Sequence, residues 1–470
     1  MLYGSDIDKR WAWMVAMAVF LGKLTLSTSL YMSGVIYIAL LEYYSDDDAK
    51  TSLIGSLNSG IMCLIGPFVS ILIDATSCRT SMFIGGLLLS LSYVVSVFVD
   101  NINVLILTLG VIGGIANSMT SVPCCVILGY YFQKWRTTMI SVSTCVVGLA
   151  MFISSPLALF LLANYELKGT FLLVGGINLH LCIFAFICRP STEEIRLKQT
   201  KKTQCLKPQD DNRLSSPIFL MWETLARICN VKLFNNISFM LFLLSTTSWN
   251  FMASVCLMHL PNYVTTQGLP PSAITIIMTT FGVCNTLGRF LAAMCVAYNK
   301  IDSIKIHIGS LGILGGATLC FPFYGHLENA CFVFAALAGL LTGIPNSAMT
   351  PISLKLVGIE NLSSAHGLEN FFCGIGIVVG PPIAGLSYEK TSSYTSSFMI
   401  SGIVVLVGCV LGCMSMAFTE KVCIRNANDV DKTLTKRDET SSFIERVRLK
   451  DSLKERRQSD NSDVAKTSFV

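Results

Sequence analysis

Twelve mostly apolar runs, each long enough to cross a bilayer as a helix, recur along the chain. They fall at about 12–40, 52–73, 82–99, 103–130, 138–163, 170–188, 235–261, 272–297, 306–323, 330–354, 362–387 and 395–418. A spanning helix needs about 20 such residues, because hydrocarbon offers no partner to an unpaired backbone N–H or C=O. The runs therefore predict twelve spans and an all-α membrane protein. The first run is too long for a signal-peptide core, and no cleavage site follows it, so it should remain as a helix. Only 13% of the 470 residues are charged, and the mean hydropathy is +0.62. A soluble domain carries about a quarter charged residues. This excludes a coiled coil, a disordered chain and a nucleic-acid binder. The 18 cysteines lie mostly within apolar runs and read as small buried residues without a disulfide framework.

The few charges sort by side. With the N-terminus inside, the outer loops hold only Lys50, Lys168 and Lys390, and the cytoplasmic side holds about 29 of the 34 Lys and Arg. Cytoplasmic loops of membrane proteins carry this excess. The loop at 42–50, with Glu42, Asp46, Asp47 and Asp48, is acidic and faces out. The organisation expected is a cytoplasmic N-terminus at 1–10, a six-helix bundle at 11–190, a cytoplasmic loop at 191–232, a second bundle at 233–419, and a disordered cytoplasmic tail at 420–470. The tail ends Thr467-Ser468-Phe469-Val470. Ser468 two before a terminal Val470 fits capture by a PDZ domain, which adds the peptide as a strand and binds its carboxylate. Ser441, Ser442, Ser452 and Ser459 near basic residues are candidate phosphosites by composition.

The two bundles repeat each other. Gly60-x5-Gly66-Pro67-Phe68 in span two matches Gly282-x5-Gly288-Arg289-Phe290 in span eight, 222 positions on. Gly114-Ile115-Ala116-Asn117-Ser118 in span four matches Gly343-Ile344-Pro345-Asn346-Ser347 in span ten, 229 positions on. Gly148-x7-Pro156-x-Ala158 in span five matches Gly374-x7-Pro382-x-Ala384 in span eleven, 226 positions on. Copies six spans apart share orientation, so the repeat is parallel, which is the plan of major facilitator transporters. Gly66, Pro67, Gly148, Pro156, Gly380, Pro381 and Pro382 read first as packing and kink residues. The functional reading makes them hinges for alternating access.

Further residues resemble the monocarboxylate transporter family. Asp8-Lys9-Arg10-Trp11-Ala12-Trp13 is similar to that family's Asp-Gly-Gly-Trp-Gly-Trp entry to span one. Tyr131-Phe132-Gln133-Lys134-Trp135-Arg136, followed by Gly148, resembles its lead into span five. Arg189-Pro190, Val231-Lys232-Leu233-Phe234 and the stretch from Gly367-Leu368 to Gly380-Pro381-Pro382-Ile383-Ala384-Gly385 resemble the end of span six, the entry to span seven, and span eleven. The likeness covers about residues 6–418. Departures are Lys9 and Arg10 for two glycines, Trp135 for a basic residue, and Leu167-Lys168-Gly169 for Trp-Arg-Gly. Lactate-carrying members have a span-one lysine where this chain has Tyr31, and a span-eight aspartate where it has Asn285. They share the arginine at Arg289. The resemblance also implies a single-span accessory chaperone, which no residue here shows.

Arg289 is the leading substrate-binding candidate. A charge within a span costs on the order of 3 kcal/mol to insert, so it should face a cavity or a partner. A guanidinium holds a carboxylate through two parallel hydrogen bonds. The alternative is a structural arginine bonded to carbonyls of neighbouring helices. Asn285 lies on the same helix face and can orient arginine or substrate without accepting a proton. Tyr31 and Lys23 complete the candidate set. Lys23 either lines the cavity at another level or snorkels to an interface. Glu369 either couples transport to H⁺ or locks to Lys355 between spans ten and eleven. Asp74 and Arg79, between spans two and three, read as a cytoplasmic gate contact. His180 and His259 read as satisfied histidines near span ends or on lipid-facing stretches. Asn117, Asn346, Asn370 and Trp249 read as interhelix glue.

The expected function is a plasma-membrane secondary transporter of small monocarboxylates or related organic acids, a symporter if H⁺ is coupled to the substrate. Its partners would be the carboxylate substrate, H⁺ and the lipid bilayer. The alternatives are a facilitative carrier of aromatic amino acids or another carboxylated metabolite, and a non-transporting sensor or scaffold. No nucleophile–base constellation, metal cluster, cofactor motif or phosphate loop points to an enzyme.

Overall fold

The computed structural model describes residues 7–44, 48–205, 231–298, 302–325, 327–391 and 393–420. The PDZ-like end with Ser468 and Val470, the tail serines, Asp46 and Asp47, and most of the loop at 191–232 lie outside the described residues. Two compact units divide the chain, Met1–Ser415 and Met416–Val470. The packing of the helices belongs to the first.

Ten helices among the described residues are long and apolar enough to cross a membrane. Span two adds an eleventh, as the pair Asp48–Leu64 and Gly66–Ala75. It is bent by 50°. Pro67 causes the bend, because it lacks an N–H and its ring crowds the carbonyl one turn back. The twelfth is concealed in Arg136–Ile187, 52 residues long. At 1.5 Å per residue a straight helix of that length would run about 78 Å, against a hydrocarbon core of about 30 Å. The backbone reverses at Glu166, where φ is 57°. Spans five and six are its two arms. The twelve predicted runs thus all appear as helices.

Span one is Arg10–Tyr31 and Ser33–Tyr44, span three Cys78–Ser96, and span four the stretch Ile102–Tyr131 with a π-helical turn at Ile106–Ile112. Spans seven to eleven are Ile237–Thr266, Pro271–Ala297, Ser303–Tyr324, Glu328–Val357 and Leu362–Thr391. Span twelve is Tyr394–Glu420. Side-chain caps start several of them: Ser77 accepts from the Thr80 N–H, Asn236 from Phe239 and Asp302 from Ile304. A polar helix, Thr192–Cys205, follows span six.

Each half has its own core. Val15, Val19, Met82, Val122, Ile127 and Phe132 pack in the first half, and Met252, Phe281, Leu314, Phe321, Phe334 and Phe398 in the second. Large apolar side chains also cover the outside, among them Phe160, Ile183, Phe186 and Val410. An exterior this apolar suits a lipid surface, not water.

The halves meet through small residues. A Cβ on Gly66 of span two would lie 2.6 Å from the Gly367 carbonyl of span eleven, and one on Gly367 would lie 2.7 Å from the Gly66 carbonyl. Only glycines permit this approach. A Cβ on Gly148 of span five would lie 2.6 Å from Thr286 Oγ1 of span eight. Since span two repeats as span eight and span five as span eleven, these are the two equivalent contacts of the internal repeat. Ser363 donates to the Ser70 carbonyl at 3.3 Å, and Gly129 packs on Leu362. These contacts lie toward the end where span one starts, here the Arg10 end.

Candidate functional site

Arg289 sits where the halves meet, 7% exposed. Span eight carries it, and span eight lies backbone to backbone on span ten. Cβ atoms on Gly288, Gly339 and Gly343 would run into Leu340, Phe281 and Asn285 carbonyl oxygens. Arg289 Nε donates to Asn285 Oδ1 at 2.9 Å, one turn back. Its Nη1 donates to the Thr144 carbonyl of span five at 3.3 Å. Asn285 Nδ2 donates to Thr342 Oγ1 at 3.0 Å, which fixes the amide so that its oxygen faces the guanidinium. Tyr31 is within electrostatic reach of Arg289. Among the described residues Arg289 has no acidic partner. The geometry therefore brings Arg289, Asn285 and Tyr31 together and leaves an arginine held only by neutral groups.

Lys23 is not part of this group, and neither reading of it holds. It does not snorkel, since it is 5% exposed. Its Nζ donates to Cys125 Sγ and to Ser143 Oγ, both at 2.9 Å, inside the first half. The expected Glu369–Lys355 lock is likewise absent. Lys355 pairs with Asp302, the cap of span nine. Glu369 pairs with His366 at 2.8 Å and accepts from Thr350 Oγ1 at 3.2 Å. The reason is depth. Lys355 is in the last turn of span ten, whereas Glu369 lies two turns inside span eleven, so the two differ by about 8 Å along the axis.

Asp74 and Arg79 correct a third expectation. Asp74 accepts from Lys201 of the polar helix at 2.7 Å, and Arg79 stacks over Phe186 at 5.2 Å. Neither contact reaches the second half. Asp74 instead ties the polar helix to span two, helped by Lys198, which donates to the Thr76 carbonyl. His180 faces its own backbone carbonyls, and His259 Nε2 lies 3.1 Å from the Pro381 carbonyl. Asn117 donates to Asn58 as interhelix glue.

Sequence reasoning missed His366. It is 4% exposed and hydrogen-bonds the Cys125 thiol as well as Glu369. Its spacing three before Glu369 on one helix face was the available signal. The two hallmark segments also prove to be neighbours. Asp8 accepts from the Lys134 N–H at 3.1 Å, Asp8 N–H donates to the Tyr131 carbonyl, and Tyr131 donates to the Arg189 carbonyl. Arg189 in turn lies over the Trp11 ring at 4.9 Å. The hallmarks thus knit the Arg10 end of the first half together.

Comparison with known proteins agrees with this architecture. The Major Facilitator Superfamily model matches residues 19–326 and 271–452. Monocarboxylate transporter 14 of Mus musculus is 25% identical over 464 residues, covering 86% of this chain and 90% of that one. Monocarboxylate transporter 12 of Homo sapiens is 25% identical over 417 residues, covering 87% and 81%. Monocarboxylate transporter 6 of Mus musculus is 28% identical over 416 residues, covering 85% and 86%. Among solved structures, the E. coli fucose:proton symporter superposes with a TM-score of 0.59 at 13% identity, over 87% of this chain and 99% of that one. That likeness concerns the fold alone.

Proposed function

The chain belongs to the Major Facilitator Superfamily, and from that premise we propose that it carries small monocarboxylates or related organic acids across the plasma membrane by alternating access. The observation that carries this reading is Arg289: a buried guanidinium between the halves with no acidic partner among the described residues. An unpaired buried charge is unfavourable, and an incoming carboxylate supplies the missing anion bidentately. The relatives named monocarboxylate transporters support the same substrate class. Asn285 and Tyr31 orient the acid, and the bundles at 11–190 and 233–419 are the moving units. The Lys and Arg distribution supports cytoplasmic termini. The Arg10 end is then the cytoplasmic gate, and Gly66–Gly367 closes it. A PDZ partner for Ser468 and Val470 and a single-span chaperone belong to the same reading.

Asn285 favours a second version. It puts a group that cannot accept a proton beside Arg289, which suits facilitative carriage of aromatic amino acids or another carboxylated metabolite. In either version, Arg289→Ala should reach the cell surface normally and lose saturable uptake of the acid. Unchanged uptake would reassign Arg289 to a structural role.

A further inference from the structure

Beside the Arg289 site lies a second cluster that joins the halves. Lys23 of span one donates to Cys125 of span four at 2.9 Å. Cys125 hydrogen-bonds His366 of span eleven. His366 Nδ1 lies 2.8 Å from Glu369 Oε2. Lys23 and Cys125 belong to the first half, His366 and Glu369 to the second. All four are nine-tenths buried or more, and Glu369 Oε1 has no hydrogen-bond partner. His366 adjoins Gly367, whose contact with Gly66 closes the Arg10 end.

We propose that Lys23, Cys125, His366 and Glu369 form a proton-binding latch across the two halves, whose opening at the Arg10 end is accompanied by uptake of a proton. The claim concerns the gate and stands independently of the substrate class. Closed and dry, the cluster is lowest in energy at zero net charge. Lys23 and Glu369 are then ionised, and one proton is shared between thiol and imidazole. Opening separates the groups and admits water. A hydrated imidazole titrates near 6.5, so below that pH the open form holds one proton more than the closed form. Acid therefore favours opening, and between about pH 7 and 8 the equilibrium is flat. The other groups facing the pair do not supply this response. Cys63 of span two and Cys373 are thiols in electrostatic reach of each other, span ten presents Thr350, span seven presents Asn250, and Lys355 turns away to Asp302.

Amide hydrogen exchange of the full chain in nanodiscs, corrected for intrinsic rates, tests this without any substrate. At pH 5.5 the segments 60–75, 122–131 and 360–372 should lose several-fold of the protection they show at pH 7.5, up to about tenfold per unit below 6.5. Spans three and nine should not change. His366→Gln should abolish the response, and Cys125→Ser should retain it. The proposal is overturned if wild type shows no acid response, if the loss spreads evenly over all spans, or if it persists in His366→Gln. Should His366→Gln fail to fold, the locality of the wild-type response and its retention in Cys125→Ser decide.

Discussion

A guanidinium beside an amide and a guanidinium beside a carboxylate are different devices. Beside Asn285, Arg289 keeps its full charge available to a mobile anion, because the amide only orients it. Asn285→Asp would place a carboxylate at the same 2.9 Å contact. Ionised, it would occupy the arginine; protonated, it would release it. Uptake by Asn285→Asp should therefore be low at neutral pH and recover as the medium is acidified, whereas equal uptake at both pH values would show that Asn285 does not govern the arginine. Arg289 and Asn285 were legible in the sequence, since a charge inside an apolar run and a residue four before it on the same face need no tertiary information. His366 and the true partners of Lys23 and Lys355 were not. Those depend on the relative depth of helices, which the chain order fixes only to within a turn or two.

At the scale of elements, the bent span two matters most. Pro67 breaks it, and Gly66 at the break lets its backbone touch span eleven. Gly66→Ala would set a methyl 2.6 Å from the Gly367 carbonyl. Overpacking of this kind costs about 1–3 kcal/mol, and here it falls only on the form closed at the Arg10 end. The open form should become about fivefold or more better populated. Alkylation of Cys125 by a maleimide in inside-out vesicles, followed by mass spectrometry, should then be correspondingly faster than in wild type; an unchanged or slower rate would show that Gly66–Gly367 is not the closure. The sequence marked Gly66 and Gly148 only as members of a repeat. That the repeat-related spans pair crosswise, two with eleven and five with eight, emerges only when both halves are folded. The break at Glu166 was easier to foresee, because no bilayer accommodates the merged length of spans five and six.

For the molecule as a whole, the pattern of charge and apolarity was enough to give twelve helices and two repeated halves. Lipid imposes that simplicity: every spanning backbone must satisfy itself as helix, so length and hydropathy locate the elements directly. Substrate choice is written in a few side chains between the halves and is correspondingly harder to read. The central claim is that an arginine between those halves carries a carboxylate. Its most direct test is uptake into proteoliposomes containing the purified chain, using lactate, pyruvate, ketone bodies, aromatic amino acids and creatine, each with an uncharged amide or ester counterpart where one exists. The account requires saturable uptake of at least one acid, none of its uncharged counterpart, and loss of that uptake in Arg289→Ala. Saturable uptake of acid and uncharged counterpart alike, or uptake of no member by protein that is folded, would contradict it.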